Sequence, residues 1–409
     1  MQDRGGTSQE TGGITSGQRL TLLVVAVAGH GLKHAFNAAF FVLLPEIKAG
    51  LGLNNAQVGL MSTFRNIAGG LANIPAGYTG DRFANQRAEV LGLTMIMVAV
   101  FALAIGFATN FLVALIAASL FTVAITFWHP SAIASLSREF ATRRGFAISL
   151  HGTGGSVGET LGPVIVGVLL GVVTWRVILQ GSLVPGLLFG VMIWVVLRGI
   201  PANWPSAVSM RAYMGSVGGL LRNRRLLLVL LFAAGFAGGQ STVLTFLPIY
   251  LEEDLGVSTT ARGLYLSLAQ VAGIVSQPLL GYASDRIGRR LVLTPSLIAL
   301  GLASIGLSVA PAGWQFTLVV LGMGAFLFPM MSILLASAMD LVAVGAQATT
   351  VSLVFGSAIV ISAFVPSIAG LLADQEGTSA AFLFGAGVVL FTAFLTIVTR
   401  WQGPRPADR

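Results

Sequence analysis

The chain of 409 residues has no cysteine and only four histidines. Disulfides, thiolate metal sites and cysteine nucleophiles are thereby excluded. Charge is scarce as well: Asp, Glu, Lys and Arg make up 9% of the residues, against about 25% in a soluble domain. No nucleotide-binding Gly-Lys-Ser/Thr loop occurs, so nothing supports direct drive by ATP. Residues 1–19 are polar and lack a short apolar core with a small-residue cleavage pattern, so they read as a cytoplasmic tail and not as a signal peptide.

What the chain does have is apolar side chains, at 55% of its residues. A membrane-spanning helix needs roughly 20 such residues, so this length holds about a dozen spans joined by short loops. The 51 glycines suit helices that approach closely in lipid. A net charge of +8 arises from short basic clusters between apolar stretches, as topology signals do, and not from a surface for nucleic acid.

Apolar stretches between polar breaks predict spans at 20–46, 57–78, 88–108, 111–136, 145–172, 176–198, 226–251, 261–283, 291–310, 313–338, 347–372 and 379–400. Alternate connections hold 18 basic residues on one side against three on the other, Lys48, Arg176 and Arg262. The richer side is expected to be cytoplasmic, with both termini there. The two basic residues that remain, Lys33 and Arg65, fall within spans. The longest connection, 199–225, divides the chain into an N-terminal bundle, 20–198, and a C-terminal bundle, 226–400, followed by a tail, 401–409. A repeat matches the division. Gly77-Tyr78-Thr79-Gly80-Asp81-Arg82 returns as Gly281-Tyr282-Ala283-Ser284-Asp285-Arg286, a shift of 204 residues, and Leu51-Gly52-Leu53 returns as Leu255-Gly256-Val257. Six spans per repeat, in the same orientation, is the duplication expected of a two-bundle transporter.

At these residues the chain resembles the major facilitator superfamily, whose signature is a Gly-x-x-x-Asp-Arg-x-Gly-Arg-Arg/Lys loop after spans two and eight. Gly281 to Arg290 matches it completely. The first copy keeps Gly77, Asp81 and Arg82 but has Ala84-Asn85-Gln86 before Arg87. The resemblance implies an all-α integral membrane fold of twelve transmembrane helices in two pseudo-symmetric six-helix bundles. It also implies a conformational latch at Gly77, Asp81, Arg82, Gly281, Asp285, Arg286, Arg289 and Arg290. Gly158-Glu159-Thr160-Leu161-Gly162-Pro163 resembles the superfamily's antiporter motif. Gly31-Leu32-Lys33-His34-Ala35-Phe36-Asn37 and Trp128-His129-Pro130 look most like the fosmidomycin-resistance branch, whose members carry an acidic residue where this chain has Ala38.

Ionisable groups inside spans cost about 2.5–3.5 kcal/mol each on insertion scales, so each is a functional candidate. Here they all fall in the first half. His30, His34 and Asn37 recur at i, i+4 and i+7 on one face of span one, beside Lys33, as a cavity-lining stripe or as groups bonded to neighbouring helices. Arg65 could clamp an anionic substrate or form a structural ion pair with Glu159. His129 precedes Pro130, so it suits either a backbone hydrogen bond or substrate. Glu159 could load and release a proton, with His151 next in line, or could pair with Arg65 or Lys33. Substrate contact is assigned to His30, Lys33, His34, Asn37, Arg65, His129 and Phe36, and to Phe246, Gln240 and Gln270 from the second half. The His30–His34 pair could ligate a metal, but further ligands are not local, so no metal is assigned. Glu252, Glu253, Asp254 and Asp340 read as solvated loop charges.

The function expected is secondary active transport without a cofactor, in a monomer of the cell membrane. Its substrate would be a small organic anion or amphipathic drug-like compound, and intramembrane cations favour an anion. Export follows from the resemblance, and proton coupling rests on the intramembrane Glu159. Uptake of an organic acid or metal-chelate complex is the alternative within the class. The competing class is a non-transporting sensor, which would need a signalling domain that the short tails do not hold, or a membrane enzyme, for whose convergent catalytic set the intramembrane histidines are the only candidates.

Overall fold

Thr15 and Gln18 start the first helix with a reciprocal cap. The Thr15 hydroxyl accepts from the Gln18 N–H at 3.2 Å, and the Gln18 side chain accepts from the Thr15 N–H at 2.9 Å. Asn54 and Gln57 repeat this at the start of span two, at 2.8 and 3.0 Å. Such caps satisfy the unpaired N–H groups of a first turn. They also place both helix starts a few residues ahead of the apolar runs, at Ser16 and Asn55.

The computed structural model describes residues 14–140, 144–202, 209–342, 350, 353–357 and 362–401. Most of the two predicted tails, residues 203–208 of the central connection and parts of span eleven lie outside the described residues. The helices are α1 (Ser16–Val42), α2 (Leu44–Leu51), α3 (Asn55–Arg82), α4 (Arg87–Gly106), α5 (Phe111–Glu139), α6 (Arg144–Leu169), α7 (Trp175–Gly181) and α8 (Leu183–Arg198). After α9 (Met210–Leu220) follow α10 (Arg224–Glu253), α11 (Thr259–Ile287), α12 (Arg289–Val309), α13 (Trp314–Leu327), α14 (Met330–Met339), α15 (Val365–Glu376) and α16 (Ser379–Val398). The sixth span is α7 and α8, interrupted at Ser182. The tenth is α13 and α14, interrupted at Phe328-Pro329.

Among the described residues, eight stretches are long and apolar enough to cross a membrane. Helices α1, α3 and α6 are as long but hold His30, Lys33, His34, Arg65 and Glu159. Within the first half α1 packs on α6, α3 on α5, and α4 on α5 and α8. Within the second, α11 packs on α13, and α16 on α10 and α12. The halves meet along α6–α11 and α3–α15, spans five with eight and two with eleven, which a twofold exchange of six-span repeats maps onto each other.

Glycine sets the closest of these contacts. A Cβ at Gly158 would run into the Gly31 carbonyl, and one at Gly162 would lie 2.8 Å from the carbonyl oxygen of Ala35. The row of small residues on α6 therefore lies directly on the α1 backbone, as small-residue seams do in lipid.

Candidate functional site

That seam decides which polar groups of α1, α5 and α6 meet. All four histidines come together with Lys33 and Glu159. The His30 and His151 rings stack with centroids 3.9 Å apart, and the His34 and His129 rings lie edge-on to His30 at 4.4 and 4.8 Å. A Cβ at Gly155 would sit 2.6 Å from the His30 ring, so glycine is what admits it. Gly29 admits the buried Trp128 ring in the same way, drawing α5 onto α1.

The hydrogen bonds within the cluster are specific. His30 Nδ1 donates to the backbone carbonyl of His151 at 2.6 Å. His34 Nδ1 pairs with Glu159 Oε1 at 2.6 Å. Lys33 Nζ lies 2.7 Å from His129 Nε2. His34 and Glu159 keep 18% and 29% of their side-chain surface exposed, whereas Lys33 is sealed at 1%. The partner of Glu159 is thus a histidine four positions from His30, and not Arg65 or Lys33.

Arg65 is separate from this cluster. It donates from Nε to Thr122 Oγ1 at 3.0 Å and from Nη2 to Asn37 Oδ1 at 3.2 Å, and its guanidinium lies 3.7 Å from the Phe40 ring centroid. At 4% exposure it braces α3 against α1 and α5. Phe36 packs toward Gly186 of α8, and Phe246 is fully buried in the second-half core. Gln240 is half-buried and Gln270 buried.

Polar contacts between the halves gather at the end opposite the basic loops. Arg262, wholly buried, binds both Glu46 and Glu252. Lys48 pairs with Glu253 at 2.6 Å. The Asp374 carboxylate accepts from the backbone N–H groups of Asn55 and Ala56 at 2.8 and 2.9 Å, capping α3 from the other half. Deeper, Ser62 bonds Thr245 at 2.8 Å, and Asn66 donates to Ser241 at 2.8 Å. Glu252 and Glu253 are therefore not simply solvated, because each is paired with a cation. The residue pattern carried a signal for this. Lys48, Arg176 and Arg262 are the sparse cations on the basic-poor side, and Arg176 too is engaged, donating to the carbonyls of Gly106, the last residue of α4, and of Ala108 just beyond it.

At the basic-loop end, the second signature copy ties its own half together. Arg289 binds Asp285, the Ser284 hydroxyl at 2.8 Å and Asp340 at 2.9 Å, and Arg290 reaches the Ile397 carbonyl. Asp340, too, is a paired group and not a free loop charge. Arg286 lies over the Tyr282 ring, and Gly281 faces open space. In the first copy Arg82 lies near the Phe83 ring, Gly77 is half-buried, and the side chain of Asp81 lies outside the described residues. The late Arg87 takes the role of Arg289. It binds Glu139 at the end of α5 at 2.7 Å, as Arg289 binds Asp340 at the end of α14.

The sequence pattern of the Major Facilitator Superfamily matches residues 27–342 and 233–409. The chain belongs to that superfamily. It is 25% identical over 361 residues to the fosmidomycin resistance protein of Escherichia coli (strain K12), covering 85% of this chain and 84% of the relative. A shorter similarity, 32% over 165 residues, joins it to the multidrug resistance protein MdtG of Serratia proteamaculans (strain 568), covering 39% of each chain. Two solved structures share the fold. A bacterial homolog of the human lysosomal transporter Spinster has a TM-score of 0.72 at 17% identity, covering 94% of this chain and 96% of its own. The nucleoside transporter NupG has a TM-score of 0.75 at 12% identity, covering 93% of this chain and 99% of its own. In this superfamily the chain is a multi-pass membrane transporter of a small molecule, not an enzyme, built as twelve membrane spans in two six-span bundles.

Proposed function

We propose that this chain is a proton-coupled exporter of a small organic anion or amphipathic drug-like compound, working by alternating access. The observation that carries it is the partly exposed His34–Glu159 pair, whose Glu159 stands on α6, the helix that packs against α11 of the other half. A carboxylate bonded to a histidine in a largely dry site can exchange a proton with an open cavity, and the charge of its partner changes with it. Lys33 in this cluster and Arg65 outside it set two intramembrane cations against one carboxylate, and that excess favours an anionic substrate. Both termini and the signature loops are cytoplasmic in this reading, from the 18 basic residues against three. The contacts of Arg262, Lys48 and Asp374 then close the extracellular end, which makes this the cytoplasm-facing state. Export agrees with the resistance roles named for the two relatives.

The test is flux in proteoliposomes, with fosmidomycin as the first probe. An imposed pH gradient should drive accumulation, and Glu159→Gln should abolish that accumulation while sparing exchange of labelled for unlabelled probe. A Glu159→Gln protein that still concentrates the probe on a proton gradient would refute Glu159 as the coupling group.

A further inference from the structure

We infer that His30, His129 and His151 form a binding site for one transition-metal ion of the zinc type. One nitrogen from each ring lies within 4.8 Å of the others, on three different helices. His30 and His151 are each more than nine-tenths buried. Zinc holds imidazole nitrogen at about 2.0–2.1 Å, which places tetrahedral ligands about 3.3 Å apart. The His30 and His151 planes are stacked 11° apart, so the His151 ring, which has no hydrogen bond to break, must swing out of the stack to aim its in-plane lone pair at the same ion as His30.

The tautomers favour ligation. A carbonyl can only accept, so His30 Nδ1 carries the proton it gives to the His151 carbonyl, and the lone pair stands on Nε2. That Nε2 is buried without a hydrogen-bond partner. Both ring nitrogens of His151 are likewise buried without a hydrogen-bond partner. Anchoring one ring nitrogen on a backbone carbonyl while the other faces the ion is how metal-binding histidines are commonly oriented. Buried nitrogens left unsatisfied are costly, and an ion would remove that cost.

His129 is the third ligand and is only partly buried. Its Nε2 faces Lys33 Nζ at 2.7 Å, so lysine and ion compete for the same ring. A water or an oxygen of a substrate would complete the tetrahedron as the fourth ligand, and the partly exposed His34 ring lies 4.4 Å from the His30 ring.

Binding is read without any flux measurement, so this inference stands or falls apart from the transport reading. Co2+ is titrated into the detergent-solubilised full chain after removal of any histidine tag. The expected result is one Co2+ per chain, with the visible absorption of an imidazole-ligated ion and displacement by Zn2+. His151→Gln should weaken binding at least tenfold, and Lys33→Met should tighten it. X-ray absorption on the zinc-loaded wild-type chain should count three imidazole ligands, which tests the site even where a variant fails to fold. No saturable binding, or fewer than two imidazoles on bound zinc, overturns the inference.

Discussion

Arg262 of α11 reaches out of the second half to Glu46 of α2 in the first, and does so wholly buried. This contact crosses the only boundary that must open and close in a two-bundle transporter, so its strength biases the conformational equilibrium. Losing a charge-assisted contact of this kind costs about 1.5–3 kcal/mol, or roughly ten- to a hundredfold in population. Arg262→Met should therefore favour separation at this end. The chain has no native cysteine, so spin labels placed by Val172→Cys and Glu376→Cys would be the only ones present. Their distance distribution should shift to longer values in Arg262→Met, and an unchanged distribution would reduce Arg262 to a passive filler.

The two signature copies should differ in what they contribute to stability. Arg87 and Glu139 are sealed, at 2% and 7% side-chain exposure, whereas Asp340 opposite Arg289 is 55% exposed. Breaking a buried pair costs about 3–5 kcal/mol, and an exposed one about 0–1 kcal/mol. Arg87→Ala should lower the melting temperature of the purified protein markedly, while Arg289→Ala should barely move it and instead alter transport. Equal melting temperatures for the two variants would contradict this ordering.

Gly158→Ala should damage the site from a distance. The added methyl meets the Gly31 carbonyl, so α6 must move off α1, and overpacking of this kind costs about 1–3 kcal/mol. Gly152 faces open space on the same helix, and Gly152→Ala is the control. Thermal unfolding should separate the two variants, and the pH dependence of transport should change only in Gly158→Ala.

Arg65→Lys should lower stability despite keeping the charge. Lysine has no planar fork to reach Thr122 and Asn37 together, and it stacks less well on Phe40. A melting temperature matching wild type, combined with weaker binding of the fosmidomycin probe, would instead place Arg65 in direct contact with substrate.

Much of the fold is legible along the chain because its causes are local. Apolar run length marks the spans, basic residues mark one set of loops, and the 204-residue repeat of Gly77–Arg82 announces two equivalent halves. The His30–His34–Asn37 stripe is legible for the same reason, since helical periodicity alone puts those side chains on one face. The pairing of His34 with Glu159 and the gathering of His129 and His151 around His30 were decided only in three dimensions. These residues lie on helices whose relative rotation and offset depend on how closely two backbones approach. Here that approach is set by Gly29, Gly155, Gly158 and Gly162, each of which leaves room for a ring or a carbonyl of another helix. The same holds for Arg262, Glu46 and Glu252. Sequence shows three charges at the ends of spans, and only the docking of one half on the other shows that they share a buried contact.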